Sequence, residues 1–126
     1  MSQYSSIFHD HFQAPRHAGS LESPDRIGKS SLRGRAPYTK IYLRFEDERV
    51  SDLRFQTFGC GAAIASCSIL SEMAIGKTFA ECLAITHEQV EEALGGLPRS
   101  KKFCARLAVL ALHNGVSREL EEATEE

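Results

Sequence analysis

The hydrophobic period changes partway along this chain, and that change limits the fold more than any other feature. Ile41, Leu43 and Phe45 alternate with polar residues, and so do Leu53, Phe55 and Thr57. A period of two marks half-buried strands, and Asp47 to Arg49 between them predicts a hairpin turn. Ahead of this hairpin, Tyr4, Ile7, Phe8 and Phe12 fall at helical spacing and Pro15 stops the run. A polar loop rich in Gly, Pro and Ser then leads to a weaker strand expected at Arg26 to Leu32. Beyond Phe58 the pattern is helical throughout. Ala62 to Ile75 is small and apolar and closes at Gly76. Thr78 with Glu81, and Thr86 with Gln89, are capping boxes that open two short helices, the second ending at Gly95-Gly96. A last helix is expected from Lys101 to about His113, with Phe103, Leu107 and Leu110 on one stripe and Gly115 as its end. The order is an N-terminal helix, a three-stranded antiparallel sheet, then about four helices packed on one face. This is an α+β fold. Residues 1–116 read as one domain and residues 117–126 as an acidic C-terminal tail.

Composition excludes several classes. With 126 residues, 42% of them hydrophobic, the chain can bury a core without metal or disulfide staples. No apolar run approaches the ~20 residues of a membrane span. Met1 to Asp10 lacks the pattern of an export signal, so a cytoplasmic location is expected. The net charge of -2 and pI near 6.2 argue against a nucleic-acid binder.

The four cysteines, Cys60, Cys67, Cys82 and Cys104, should be thiols in a reducing compartment, and no CxxC occurs among them. Cys60 lies between Gly59 and Gly61, where strand meets helix. Flanking glycines permit positive φ and close approach, and the N–H groups of a helix start favour a thiolate. Cys104 is expected in the first turn of the last helix beside Lys101 and Lys102, where the same dipole and two cations favour its thiolate. Cys67, seven residues from Cys60 or about 10 Å of helical rise, reads as core, as does Cys82. The five histidines form no i, i+4 pair with one another and read as surface or satisfied core groups. Six basic residues and no acid (Arg26, Lys29, Arg33, Arg35, Lys40 and Arg44) fill the stretch from Arg26 to Phe45, a surface able to dock an acidic partner or simply to be solvated.

Three motifs in order then carry a resemblance. The segment from Tyr4 through His11-Phe12-Gln13-Ala14-Pro15-Arg16-His17-Ala18-Gly19, the run Phe55-Gln56-Thr57-Phe58-Gly59-Cys60-Gly61-Ala62-Ala63-Ile64-Ala65-Ser66, and Leu97-Pro98 followed by Lys101 and Cys104 resemble the NifU/IscU-type iron–sulfur cluster scaffolds. Gly76-Lys77-Thr78 matches that family too, and the likeness runs from about Tyr4 to Gly115. The resemblance implies a non-enzymatic scaffold that takes sulfur from a cysteine desulfurase, assembles a cluster and passes it to apo-proteins. It implies Cys60 and Cys104 as two of three thiol ligands, for a [2Fe–2S] cluster above all, with zinc as a substitute.

The chain also departs from the family. The Cys-Gly-Asp motif falls within Pro37-Tyr38-Thr39-Lys40, so Pro37 or Tyr38 stands for the cysteine and Thr39 or Lys40 for the aspartate. Phe103 replaces the histidine before the last cysteine, and Leu97-Pro98-Arg99-Ser100-Lys101 replaces the chaperone-docking segment, which argues against that docking. Since clusters usually take four protein ligands, two cysteines call for a homodimer, a partner's thiol or small thiols to complete the set. Two alternatives stand beside the scaffold: a persulfide acceptor using Cys60, and a cluster-free paralogue that binds partners through the basic hairpin.

Overall fold

The computed structural model describes residues 4–32 and 35–125, with side chains described for all of these except 32, 35–37 and 118–125. Arg33 and the side chains of Arg35 and Pro37 therefore lie outside the described residues. The elements are α1 (Ser6–Gln13), β1 (Arg26–Leu32), β2 (Arg35–Glu46), β3 (Arg49–Phe58), α2 (Gly61–Ala74), α3 (Phe79–Leu83), α4 (His87–Ala93), a 3-10 turn (Arg99–Lys101) and α5 (Lys102–Glu125). The strands form an antiparallel sheet in the order β1-β2-β3. The α+β expectation holds.

The period-two alternation does what it implies. Ile41, Leu43, Leu53 and Phe55 are buried beneath the helices, while Lys40, Tyr42, Arg54 and Gln56 lie on the other face. Asp47 and Glu48 form the hairpin turn with φ of 54° and 62°, and Glu46 pairs with Arg49 across it. Two consecutive left-handed residues match the twist of the flanking strands. The free edge of β3 is covered by the segment after α1, where the Gly19 N–H donates to the Phe55 carbonyl and the Phe55 N–H to that of His17.

α2 is the central helix. Ten of its residues are buried, from Ala62 to Ala74, so it is apolar nearly all round. Its buried serines hold the N-terminal segment: Ser68 Oγ lies 2.7 Å from His11 Nδ1, and Ser71 Oγ lies 2.8 Å from His17 Nδ1. His87 meets Glu91 and His113 meets the carbonyls of Cys82 and Ile85, so these histidines are partnered groups as expected. Both capping boxes form, at Thr78 with Glu81 and at Thr86 with Gln89.

α5 differs from expectation twice. It does not stop at Gly115 but runs on to Glu125. Gly115 is there for packing: a Cβ on it would stand 2.7 Å from Leu43 Cδ1 and 3.2 Å from the Gly28 nitrogen. Gly28 on β1 answers it, because a Cβ there would stand 1.9 Å from the Ala111 carbonyl oxygen. Helix and strand cross at two glycines. The buried face of α5 is accordingly Cys104, Ala105, Ala108, Ala111, Leu112 and Val116, and Leu110, expected on the apolar stripe, is 48% exposed. No helix among the described residues is long and apolar enough to cross a membrane.

Candidate functional site

Cys60 is the residue that precedes α2, with φ -93° and ψ -179°, and its carbonyl accepts the first turn's N–H groups from Ala63 and Ile64. Of the two things a glycine permits, Gly61 uses close approach and not positive φ. Its lack of a side chain admits the Phe12 ring, which would stand 2.9 Å from a Cβ. α1 is thereby seated against the start of α2, with Ser5 Oγ donating to the Leu94 carbonyl at its other end. Cys104 is the third residue of α5, which follows the 3-10 turn of Arg99–Lys101.

These two helix starts converge. Cys60 Sγ lies 3.9 Å from Cys104 Sγ, across 44 positions of sequence. Cys60 is partly buried, whereas Cys104 is 2% exposed. Cys60, Lys101, Tyr4, Phe8, His9 and Phe12 line a groove of about 360 Å³ that does not reach Cys104. His9 and the aromatic residues of α1 could not be assigned to this wall from sequence, because nothing in the helical spacing says which neighbour α1 packs on.

The two thiols are electrostatically unlike. Burial alone would push the Cys60 thiol up, but the N–H groups of Ala63 and Ala62, the Cys104 thiol and the Lys101 cation outweigh it and hold Cys60 below the usual thiol range. Cys104 does not share the depression expected for it. Burial, then the charge and hydrogen bond of Cys60, push it up to about 12, with Lys101 opposing weakly. Of the two, Cys60 is therefore the thiol that gives up its proton more readily. Burial pushes Cys67 up to about 12 and Cys82 up to about 11, in keeping with the core roles expected of both.

Of the two positions that the resemblance offered for a first thiol, the side chain of Pro37 lies outside the described residues and Tyr38 carries an aromatic ring. Tyr38 pairs with Phe58 across β2 and β3, with ring centroids 6.0 Å apart and planes within 6°. Thr39 is buried and meets Thr57 at 3.2 Å, and Phe103 packs beside the core. Among the described residues no group of three or more His, Cys, Asp or Glu converges on one point. Cys60 and Cys104 stand as a pair.

Residues 3–125 match the family described as NifU-like N terminal domain. The chain belongs to that family. It is 46% identical over 113 residues to the iron-sulfur cluster assembly scaffold protein IscU 1 of Archaeoglobus fulgidus, a match covering 90% of this chain and 74% of the relative. The IscU of Aquifex aeolicus is 39% identical over 113 residues, covering 88% and 72%. In fold, it is similar to a putative scaffold protein for the SUF system from Fervidobacterium islandicum, with a TM-score of 0.71 at 16% identity, over 90% of this chain and 96% of that one.

Proposed function

We propose that this chain is an iron–sulfur cluster assembly scaffold, not itself an enzyme, that holds its cargo through Cys60 and Cys104. The observation that carries the reading is the 3.9 Å between the two sulfurs. Thiolate–metal bonds of about 2.3 Å at a tetrahedral centre set two sulfurs about 3.8 Å apart. The pair is thus spaced to chelate one ion. Two protein thiolates and two bridging sulfides would complete one iron of a [2Fe–2S] cluster, and the second iron would take the same pair from a second copy about a two-fold axis. Zinc, which takes the same tetrahedral thiolate geometry, is a substitute cargo at the same pair. A cysteine desulfurase as sulfur donor and apo-proteins as recipients complete the cycle, in the reducing cytoplasm where both thiols stay free.

A second reading is favoured by the difference between the thiols. Cys60 lines the groove and favours its thiolate, so it is the sulfur that an incoming persulfide would meet.

The test of the scaffold reading is anaerobic reconstitution with iron(II) and inorganic sulfide, with iron, acid-labile sulfide and molecular mass measured together. Near-equal iron and sulfide on a dimer, lost in Cys60→Ala and in Cys104→Ala, is the expected result. A chain that takes up no iron or sulfide under any condition overturns it.

A further inference from the structure

We propose that Cys60 and Cys104 act in sequence as an accepting and a resolving thiol, so that the chain itself reduces a persulfide sulfur to free sulfide. This rests on the reading of Cys60 as the accepting thiol, and extends it from carrying sulfur to a redox step. The geometry supplies three reasons. The two sulfurs are in contact at 3.9 Å. Their access differs, since Cys60 lines the groove and Cys104 is 2% exposed and absent from its walls. The other two thiols are committed elsewhere, Cys67 within α2 at 1% exposure and Cys82 with its Sγ towards the Ala74 carbonyl.

The chemistry balances in two steps. In the first, the Cys60 thiolate attacks the outer sulfur of a persulfidated donor thiol. The donor's S–S bond breaks, the donor leaves as its thiolate, and Cys60 carries the persulfide. In the second, Cys104 Sγ attacks Cys60 Sγ. The new bond joins the two cysteine sulfurs, the bond from Cys60 Sγ to the outer sulfur breaks, and the outer sulfur departs with the electron pair. The proton of Cys104 passes to that sulfur, which leaves as hydrosulfide. Two thiol sulfurs are oxidised to one disulfide, and one sulfane sulfur gains two electrons.

Attack at sulfur is in line, so the departing atom must point away from the attacking one. An outer sulfur lodged in the groove would leave past Lys101 in its wall, while Cys104, buried and absent from that wall, attacks from outside the groove. The sulfurs must close from 3.9 Å to about 2.05 Å. An external dithiol then reopens the disulfide and resets the pair.

The experiment uses the reduced full chain, kept anaerobic and given one equivalent of glutathione persulfide. Free sulfide, intact mass and disulfide connectivity are read together, against a Cys60→Ser/Cys104→Ser background. The wild type should release about one sulfide per chain and gain a Cys60–Cys104 disulfide. Cys104→Ser should lose the sulfide release down to background and retain one extra sulfur on Cys60, while Cys60→Ser should do neither. Disulfide mapping of the wild type needs no variant, so a poorly folded Cys104→Ser does not blunt the test. A wild type that keeps its extra sulfur without releasing sulfide overturns the proposal. So does a Cys104→Ser variant that releases sulfide as the wild type does. Reconstitution with inorganic sulfide bypasses both steps, so a chain that binds iron and sulfide there but fails here loses this proposal and keeps the scaffold reading.

Discussion

Replacing Gly28 by alanine should separate α5 from the sheet and disturb the thiol pair without touching it. The added Cβ would stand 1.9 Å from the Ala111 carbonyl oxygen and 2.7 Å from the Gly115 nitrogen. An ordinary carbon–oxygen contact is about 3.3 Å or longer, so a gap of about 1.4 Å has to open. Both obstacles are backbone, and no rotamer change relieves them. α5 also packs on β2, α2, α3 and α4, so it cannot move at one point alone. Adding a methyl group to a filled core costs about 1–3 kcal/mol when side chains can yield, and here the loss should be on the order of 3 kcal/mol or more. With a urea m-value of about 1–3 kcal/mol/M, the unfolding midpoint should fall by roughly 1–3 M. Cys104 rides on α5, so iron uptake on reconstitution should fall as well. Gly115→Ala, whose Cβ first meets the movable Leu43 side chain, should lose less. Lys29→Ala, exposed on the neighbouring residue, should stay within about 0.5 kcal/mol. A Gly28→Ala midpoint indistinguishable from wild type would refute the close crossing.

Two further outcomes follow from burial and backbone conformation. Cys67 and Cys82, raised to about 12 and about 11 from 9.0, keep their protons in the folded chain at pH values where the unfolded chain has lost them. The contribution of these two thiols should therefore be level below about pH 9, and stability should fall as pH rises from there towards 11–12. Urea titrations at stepped pH should show that slope flattening in Cys67→Ala, and an unchanged slope would contradict it. Glu48→Gly should stabilise by about 0.5–1 kcal/mol, because it frees a side chain held at φ 62° in the hairpin turn. A higher thermal midpoint is the readout, and a lower one counts against a two-residue left-handed turn.

What was legible in the sequence was local. The alternation at Ile41, Leu43, Leu53 and Phe55 faces the core, and the boxes at Thr78 and Thr86 close as their spacing implies. Gly115 misled because a glycine that ends a helix and a glycine that lets a helix touch a strand look alike in one dimension. Cys104 misled for a related reason: a helix start with two lysines argues for a thiolate, but depth and the neighbouring Cys60 charge reverse it. Motif likeness marked both cysteines, yet their contact spans 44 positions and depends on how α2 and α5 pack. The groove wall from α1 was out of reach of spacing arguments altogether.

The position of the thiol pair has a consequence for how such a chain gives up what it carries. Cys60 heads the central helix and Cys104 heads the last one, so an ion held by both ties together segments that otherwise join only through packing. Anything bound to the folded arrangement and not to the unfolded chain raises stability in step with its occupancy. Unloading is the same linkage run backwards. A recipient that loosens the start of α5 weakens the grip on the cargo, and a cargo that tightens the grip resists that loosening. On the proposed reading, delivery would be a contest between a recipient's ligands and the docking of one helix.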